Sequence, residues 1–478
     1  MVDVYVIGDG IPELAAALEL AEVGLTVRVA RGGSAPAAEG AGTPVGALAP
    51  FDPDRVTDPD GTLREFLTHV AAPLSAGGPA TPGAASRAAA PESVLLRGAK
   101  SDPVEQPMPS VFGIPAVPLS EASLAVLGGA GATRAFLDRV MPLLTIGKTQ
   151  RLGKLVRARI GATALQRLVE PLVREKYGVS ADDVDVAIAA PGLNEDVTTA
   201  GSLCGAAMEY AARSVARETF VQPVDGWEQL RETLLDRLAL YGAEIVDAGV
   251  VTVAEVTFDA TESSQPAAAD ETTWQVVERG DTAGEASITA RAVVVGESAA
   301  GTELPLQGAA ETSRARWVVI AEVSAPEWVG AATNPTSAKD LVEVVRDDSG
   351  SFWAVRWQAP TVHSVDDAAQ SSSWTIRASS SIGLAPDLES DQVAAAALGA
   401  AGAARVPGGR LHAFSVLAPF ATKSARDRAL AHTMSSREAK STCLSVGTHA
   451  HSGDLATAVH DAREAAVRLR RHLTGIAE

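Results

Sequence analysis

Apolar positions follow two different periods along this chain. Short runs of mostly β-branched residues predict buried strands at 3–8 (Asp3-Val-Tyr-Val-Ile-Gly8), 25–30, 243–246, 250–256, 292–295 and 442–446. Apolar residues spaced three or four apart predict helices. One follows Gly10 and carries Leu14, Ala17, Leu18 and Ala21, and another spans 227–241 with Leu230, Leu234, Leu235 and Leu238 inward. Two more are expected at 388–404 and 454–473. Pro12 suits a first helical turn, where its missing N–H costs little, and Gly24 suits the stop. Strand, helix and strand within residues 3–30 imply a parallel pair joined by a right-handed crossover.

The middle of the chain changes character twice. Residues 119–178 read as mostly helical, with Leu127, Phe136, Leu137, Val140, Leu143 and Leu144 on the first faces. Leu155, Ile160, Leu165, Leu168, Val169 and Leu172 mark the next, and Gly128 with Gly129 predict a break. Residues 274–295 alternate as strands do, and 317–378 read as an antiparallel sheet carrying Trp317, Trp328, Trp353, Trp357 and Trp374. Those tryptophans are expected as sheet core or cover. Stretches 31–50 and 76–93, rich in Ala, Gly, Pro and Ser, read as loops, and 259–273 as an extended hairpin loop. The sequence shows no internal repeat.

Composition narrows the function classes. The 478 residues are 46% hydrophobic and 21% charged, which excludes wholesale disorder and suggests two or three domains or one large α/β domain with insertions. Fifty-nine acidic against forty basic side chains give a net charge of −19, which argues against a nucleic-acid partner. An anionic ligand would need a local basic pocket. Two cysteines, Cys204 and Cys443, make neither a disulfide framework nor a cysteine zinc site. The first apolar run ends at Gly8, so no signal peptide is expected, and no stretch approaches the ~20 apolar residues of a membrane span. The expectation is a soluble, cytoplasmic protein.

Gly8-Asp9-Gly10-Ile11-Pro12-Glu13 lies between strand and helix, where a dinucleotide fingerprint lies. In the full pattern the first glycine makes the turn, the second admits a pyrophosphate, and the third packs helix on strand. The helix N-terminus then opposes the anion with free N–H groups. Here the third position is Glu13. At ~5 Å and an effective dielectric of ~20, a carboxylate repels each phosphate charge by roughly 3 kcal/mol before screening. The second strand ends in Ala30, where an acid would accept ribose hydroxyls. A plainer role for Glu13 is a favourable first-turn acid.

Several segments together resemble the flavin-dependent protoporphyrinogen/coproporphyrinogen oxidases of the flavin amine-oxidase superfamily. The opening Val6-Ile-Gly-Asp-Gly-Ile-Pro-Glu-Leu-Ala-Ala-Ala17 is similar to the family's glycine-rich start except at Glu13. Leu165-Gln-Arg-Leu-Val-Glu-Pro-Leu172 resembles the stretch before its central helices. Phe220-Val-Gln-Pro-Val-Asp-Gly-Trp-Glu-Gln-Leu230 resembles its return to the flavin domain, and Val251 matches the valine flanking the adenine. Val446-Gly447 and Ala462-Arg-Glu-Ala-Ala466 bracket a span of the family's length. The departures are Ala30-Arg31-Gly32-Gly33, a shortened remnant of the family's acid and Arg-x-Gly-Gly turn, then Arg174 and Glu175, and the late turn Ser452-Gly453-Asp454.

The resemblance implies an α/β protein: a Rossmann-like FAD-binding domain, a sheet-containing substrate domain and a helical insertion. The FAD-type domain would comprise 1–79, 216–300 and 411–478, the helical domain 80–215, and the sheet domain 301–410. Gly8, Gly10, Ile11, Arg31, Val251, Gly447 and Asp454 would contact FAD. The implied reaction oxidises a porphyrinogen to a porphyrin with electrons passing to oxygen, as in haem biosynthesis. No catalytic residue is named. Arg157, Arg159, Arg174 and Lys176 are candidates to grip propionates, although solvated helix faces are the commoner use of such residues. His449, His451 and His460 lack the spacing of a metal motif, and no metal site is expected. Asp454 is also a natural helix N-cap. Ser202 and Cys204 do not form a nucleophile elbow.

The alternative, in another class, is a flavin-free and catalytically inactive chain, with Glu13 in the anion site, that serves as a binding or assembly partner. An NAD-using reductase is weaker, because a second glycine fingerprint is missing. The expected partner is a small-molecule substrate such as a porphyrinogen. Peripheral membrane contact stays open, but no basic amphipathic helix demands it.

Overall fold

A computed structural model describes residues 1–31, 56–58, 60–75, 77–89, 93–142, 149–218, 220–256, 273–280, 285–296, 314–329, 339–359, 373–384, 388–439, 441–451 and 453–475. The chain divides into two compact units. Met1–Ala90, Arg217–Ala310 and Arg426–Glu478 form the first, and Pro91–Ala216 with Glu311–Ala425 the second. The stretches 80–215 and 301–410, expected as separate helical and sheet domains, thus fall largely within one unit.

The first unit opens as the apolar pattern predicts, with strand β1 (Val2–Ile7), helix α1 (Ile11–Ala21) and strand β2 (Val27–Ala30). β1 pairs in parallel with β2 on one side and with the strand Glu285–Val295 on the other. Glu244–Val246 extends the parallel sheet beyond β2, and Cys443–Ser445 extends it beyond Glu285–Val295. Alternation along β1 sends side chains to opposite faces. Val4 and Val6 join the core beneath α1, Trp227–Leu240 and Leu455–Thr474, whereas Tyr5 and Ile7 pack with Val250, Trp274 and Val276. Those last three come from Ala248–Val256 and Thr273–Gly280, which form an antiparallel meander with the first half of Glu285–Val295.

The second unit is built on a seven-stranded sheet. Its strands run in the order Leu411–Leu417, Ala315–Val323, Trp374–Ser380, Phe352–Gln358, Leu341–Arg346, Leu95–Arg97 and Pro103–Glu105. One face buries Trp317, Trp353, Trp357 and Trp374 with Val393, Ala394 and Ala397 of the helix Ser390–Ala401. Trp328 stands edge-on to Trp374 with ring centroids 5.3 Å apart. The tryptophans are therefore core, as expected. Helix Glu170–Tyr177 lies against the strands Leu341–Arg346 and Phe352–Gln358, and Glu175 accepts hydrogen bonds from Arg356, one of them at 2.9 Å.

Three elements depart from the sequence reading. The stretch 76–93, read as loop, contains the strand Ser86–Ala89, paired antiparallel with Phe220–Pro223. That pairing is long-range and leaves no local apolar period. The break expected at Gly128 is present: Gly128 takes φ 71° and interrupts the helix Glu121–Phe136. Helices Thr62–Ala71 and Lys423–Ala439 were not foreseen, and the second has few apolar residues to mark a face. The 31–50 stretch beyond Arg31, the hairpin loop at 259–272, Leu143 and Leu144 lie outside the described residues. Among the described residues no helix is long and apolar enough to cross a membrane.

The helical part of the second unit is pinned by one buried carboxylate. Asp138 is 0% exposed. It accepts from Arg159 Nε, from the Leu203 N–H at 2.5 Å and from the Cys204 N–H at 3.1 Å, so one side chain neutralises a guanidinium and caps the helix Leu203–Glu218. Asp138→Ala leaves Arg159 buried without its counter-charge. It is expected to destabilise the protein by about 3–5 kcal/mol, measured as a fall in thermal midpoint. A shift within error of wild type would refute this role.

Candidate functional site

The parallel strands end side by side, and the register fixes what meets there. Ile7 lies opposite Ala30 and Val295, Ala30 opposite Val246, and Val295 opposite Ser445. The next residues are tied across the row. The Gly8 N–H donates to the Ala30 carbonyl at 3.0 Å, Gly296 to Ile7 at 3.0 Å, Arg31 to Val246 at 2.9 Å and Val446 to Val295 at 2.9 Å. One rim therefore presents Gly447, Gly296, Gly8, Arg31 and Asp247 from the end, middle and start of the sequence. Strand order reverses at β1, because β2 lies on one side and the later strand Glu285–Val295 on the other. Ligands of open parallel sheets bind outside the carboxyl ends at such a switch point.

Gly8 makes the turn out of β1 at φ 107°, a value open to glycine. Gly10 is the N-cap of α1, and Ile11 and Pro12 begin the helix. The first-turn N–H groups and the helix dipole point at the rim and favour an anion. Glu13 stands within this cradle. It is buried at 3% exposure. A methyl placed on Gly10 would overlap its Oε2 and stand 3.1 Å from its Cδ, and one placed on Gly296 would stand 2.5 Å from its Cδ and Cγ. The Glu13 carboxyl thus fills space that two glycines leave open. Ala30, at the position of the missing ribose acceptor, is fully buried.

Two arginines share the rim with several carboxylates. Arg231, from the second turn of Trp227–Leu240, donates to Asp9, to Glu228 and to Glu232 (2.7 Å). Arg31 lies 3.9 Å from Asp9, 3.5 Å from Glu232 and 3.6 Å from Asp247. Burial raises the Asp9 carboxyl above its ordinary value, although Arg231 and Arg31 pull the other way. Arg231 holds Glu228 below its ordinary value, opposed by slight burial.

Other predicted positions are spread around this centre. Val251 sits where the pairing of Ala248–Val256 with Thr273–Gly280 slips between Val250 and Thr252. Such a bulge re-aims a side chain. Asp454 caps the helix Leu455–Thr474, accepting from the Thr457 N–H at 3.0 Å. Gly32, Gly33 and Ser452 lie outside the described residues. The structure also brings in Gly296 and Arg231, which the sequence reading passed over. For Gly296 the signal was present, as an apolar run ending in glycine; for Arg231 there was none, since it meets Asp9 across 222 positions.

Several candidates are engaged elsewhere. Arg157 donates to Asp182 at 2.5 Å, Arg159 to Asp138, and Arg174 to Glu170 at 2.6 Å. Arg174 also stacks over Phe352 at 4.2 Å, and Lys176 lies 5.4 Å from the Phe112 ring. These commitments leave a propionate grip by the three arginines without support. Ser202 accepts from the Gly205 N–H at 3.0 Å. Burial, reinforced by Asp138, pushes the Cys204 thiol up to about 12, far from a nucleophile. His451 pairs with Asp461 at 3.1 Å and His460 with Glu464 at 3.6 Å, and no metal-binding cluster occurs among the described residues.

The cradle fits a dinucleotide diphosphate in its backbone, through Gly8, Gly10 and the α1 N-terminus, and in its cations, Arg31 and Arg231. It departs at Glu13 and Ala30. No protein-family model matches the sequence, and no curated protein matches it. Solved structures do. A protein of Exiguobacterium sp. 255-15, provisionally named a protoporphyrinogen oxidase, is 15% identical over 98% of this chain and 99% of its own, with a TM-score of 0.63. Reduced UDP-galactopyranose mutase is 12% identical over 100% and 96%, with a TM-score of 0.53. An oxidoreductase of Methanosarcina mazei is 12% identical over 97% and 100%, with a TM-score of 0.50. The chain has the α/β fold of these proteins, and the resemblance drawn from the sequence holds at that level.

Next to the rim, Arg437 and His451 close on Asp461, with Arg437 donating at 2.7 and 2.9 Å. Burial opposes ionisation of Asp461, but these two partners win and hold its carboxyl well below the usual carboxylate range. A depressed folded value contributes stability above the unfolded value of about 4, and that stability is lost as pH falls through the folded value. Asp461→Asn is therefore expected to lower the thermal midpoint at pH 7, with the gap to wild type narrowing as the pH drops below 4. Melts across that range check the sign; a gap that widens in acid would contradict it.

Proposed function

We propose that this chain is an FAD-dependent oxidoreductase acting on a porphyrinogen-type macrocycle, with oxygen as electron acceptor. The observation that carries the reading is the glycine-lined switch point, in a fold shared along 98% of the chain with the Exiguobacterium protein. Gly8 and Gly10 would let the backbone close on the diphosphate. The Ile11 end of α1 would oppose its charge, and Arg31 with Arg231 would supply cations. Gly447 would admit the cofactor beside the last parallel strand, and Val251 would flank the adenine from its bulge. Bound FAD supplies the redox chemistry, and the chain's residues supply binding and orientation. A small molecule is the expected partner and the cytoplasm the expected setting.

A second reading is favoured by one observation, the burial of Glu13 in that same cradle. It makes the chain a flavin-free descendant that binds or assembles with another component. Visible spectroscopy separates the two. The first reading expects the purified protein to carry, or to take up from added FAD, a flavin band near ~450 nm, and then to convert coproporphyrinogen III to fluorescent porphyrin. Folded protein with no flavin band at saturating FAD would reject the first reading in favour of the second.

A further inference from the structure

We infer that Asp461 is a positioning residue for the dinucleotide: through Arg437 and His451 it fixes the path of residues 445–451, which carry Gly447 to the rim. The inference rests on the FAD reading above and concerns how the last glycine turn of the cofactor site is held. The chain leaves the sheet at Val446, whose N–H donates to the Val295 carbonyl. Gly447 then turns at φ 135°, a value open to glycine. One tight helical turn follows, Thr448–His451. Such a turn has poor hydrogen-bond geometry and holds its own shape weakly.

Two ties from outside this stretch meet on one carboxylate. Asp461 lies in the second turn of Leu455–Thr474. Arg437, from Lys423–Ala439, grips both its oxygens, at 2.9 and 2.7 Å, and its Nη2 also donates to the Ser445 carbonyl at 2.9 Å. His451 Nε2 lies 3.1 Å from Oδ2 of the same carboxylate. An ionised carboxylate only accepts, so that nitrogen carries a hydrogen in either charge state of the ring. The fork of Arg437 on Asp461 would by itself pin one helix on the other. The bonds to Ser445 and His451 are not needed for that, and they hold the chain on either side of Gly447. At the start of β1, the end away from the rim, Arg291 donates to Asp3 at 3.1 Å and to the Leu473 carbonyl at 2.8 Å. It fastens the same helix without touching the turn.

The test is an FAD titration of the purified full-length chain, stripped of any flavin. Binding is read from quenching of flavin fluorescence, and folding from circular dichroism. Asp461→Asn, His451→Ala and Arg437→Lys, which keeps the charge but loses the fork, are each expected to weaken FAD binding. The expected loss is about tenfold or more, the scale of removing an outer-shell support. His451→Gln returns a donor near the place of Nε2 and is expected to recover most of the wild-type affinity. Arg291→Ala loosens the same helix at its other end and is expected to bind FAD as wild type does. If Asp461→Asn does not fold, Arg437→Lys and His451→Ala decide. Folded variants with wild-type affinity overturn the inference and leave the FAD reading standing. Equal weakening by Arg291→Ala also overturns it, since general loosening then suffices. No FAD binding by folded wild type overturns both.

Discussion

The parallel hydrogen bonding of β1 to its two neighbours is the constraint from which the site follows. Ile7 is in register with both Ala30 and Val295, so the residues after them must meet at one edge. Gly8, Arg31 and Gly296 are far apart in sequence and owe their proximity to that register. The register is itself secured by burial, since Val4 and Val6 go to one core and Tyr5 and Ile7 to the other. A one-residue slip would reverse every one of those side chains. The geometry of the rim is therefore as firm as the packing of the sheet beneath it.

What the sequence made legible was whatever depends on local periodicity. β1, α1 and β2 were visible because short apolar runs and a helical repeat bracket a glycine turn. The helices Trp227–Leu240 and Leu455–Thr474 were visible because their inward leucines and alanines are regularly spaced. Lys423–Ala439 was not, because its few apolar residues do not mark a face. Ser86–Ala89 was not, because only its pairing with Phe220–Pro223 makes it a strand.

The site was half visible for the same reason. Glu13 could be recognised as foreign to a glycine pattern from its position alone. Its burial against Gly296 could not, since that contact crosses more than half the chain. The arginines show the limit most clearly. From sequence, Arg159 was one of four cations available to an anionic ligand, yet the fold commits it to Asp138. In a chain with a net charge of −19, arginine is the scarcer partner, and carboxylates from distant segments take it up. Which cations are left for a ligand is decided by tertiary pairing.

The contact between Glu13 and Gly296 also ties two positions into one heritable unit. With glutamate at 13, no side chain fits at 296 without overlap. With a smaller residue at 13, that prohibition lifts. Lineages descended from a common ancestor should then change these two columns in step, the glutamate appearing only where 296 is already bare. The order of events is set as well: the bare position must come first, so an ancestral glycine at 296 would have been the permissive background on which the acid arose.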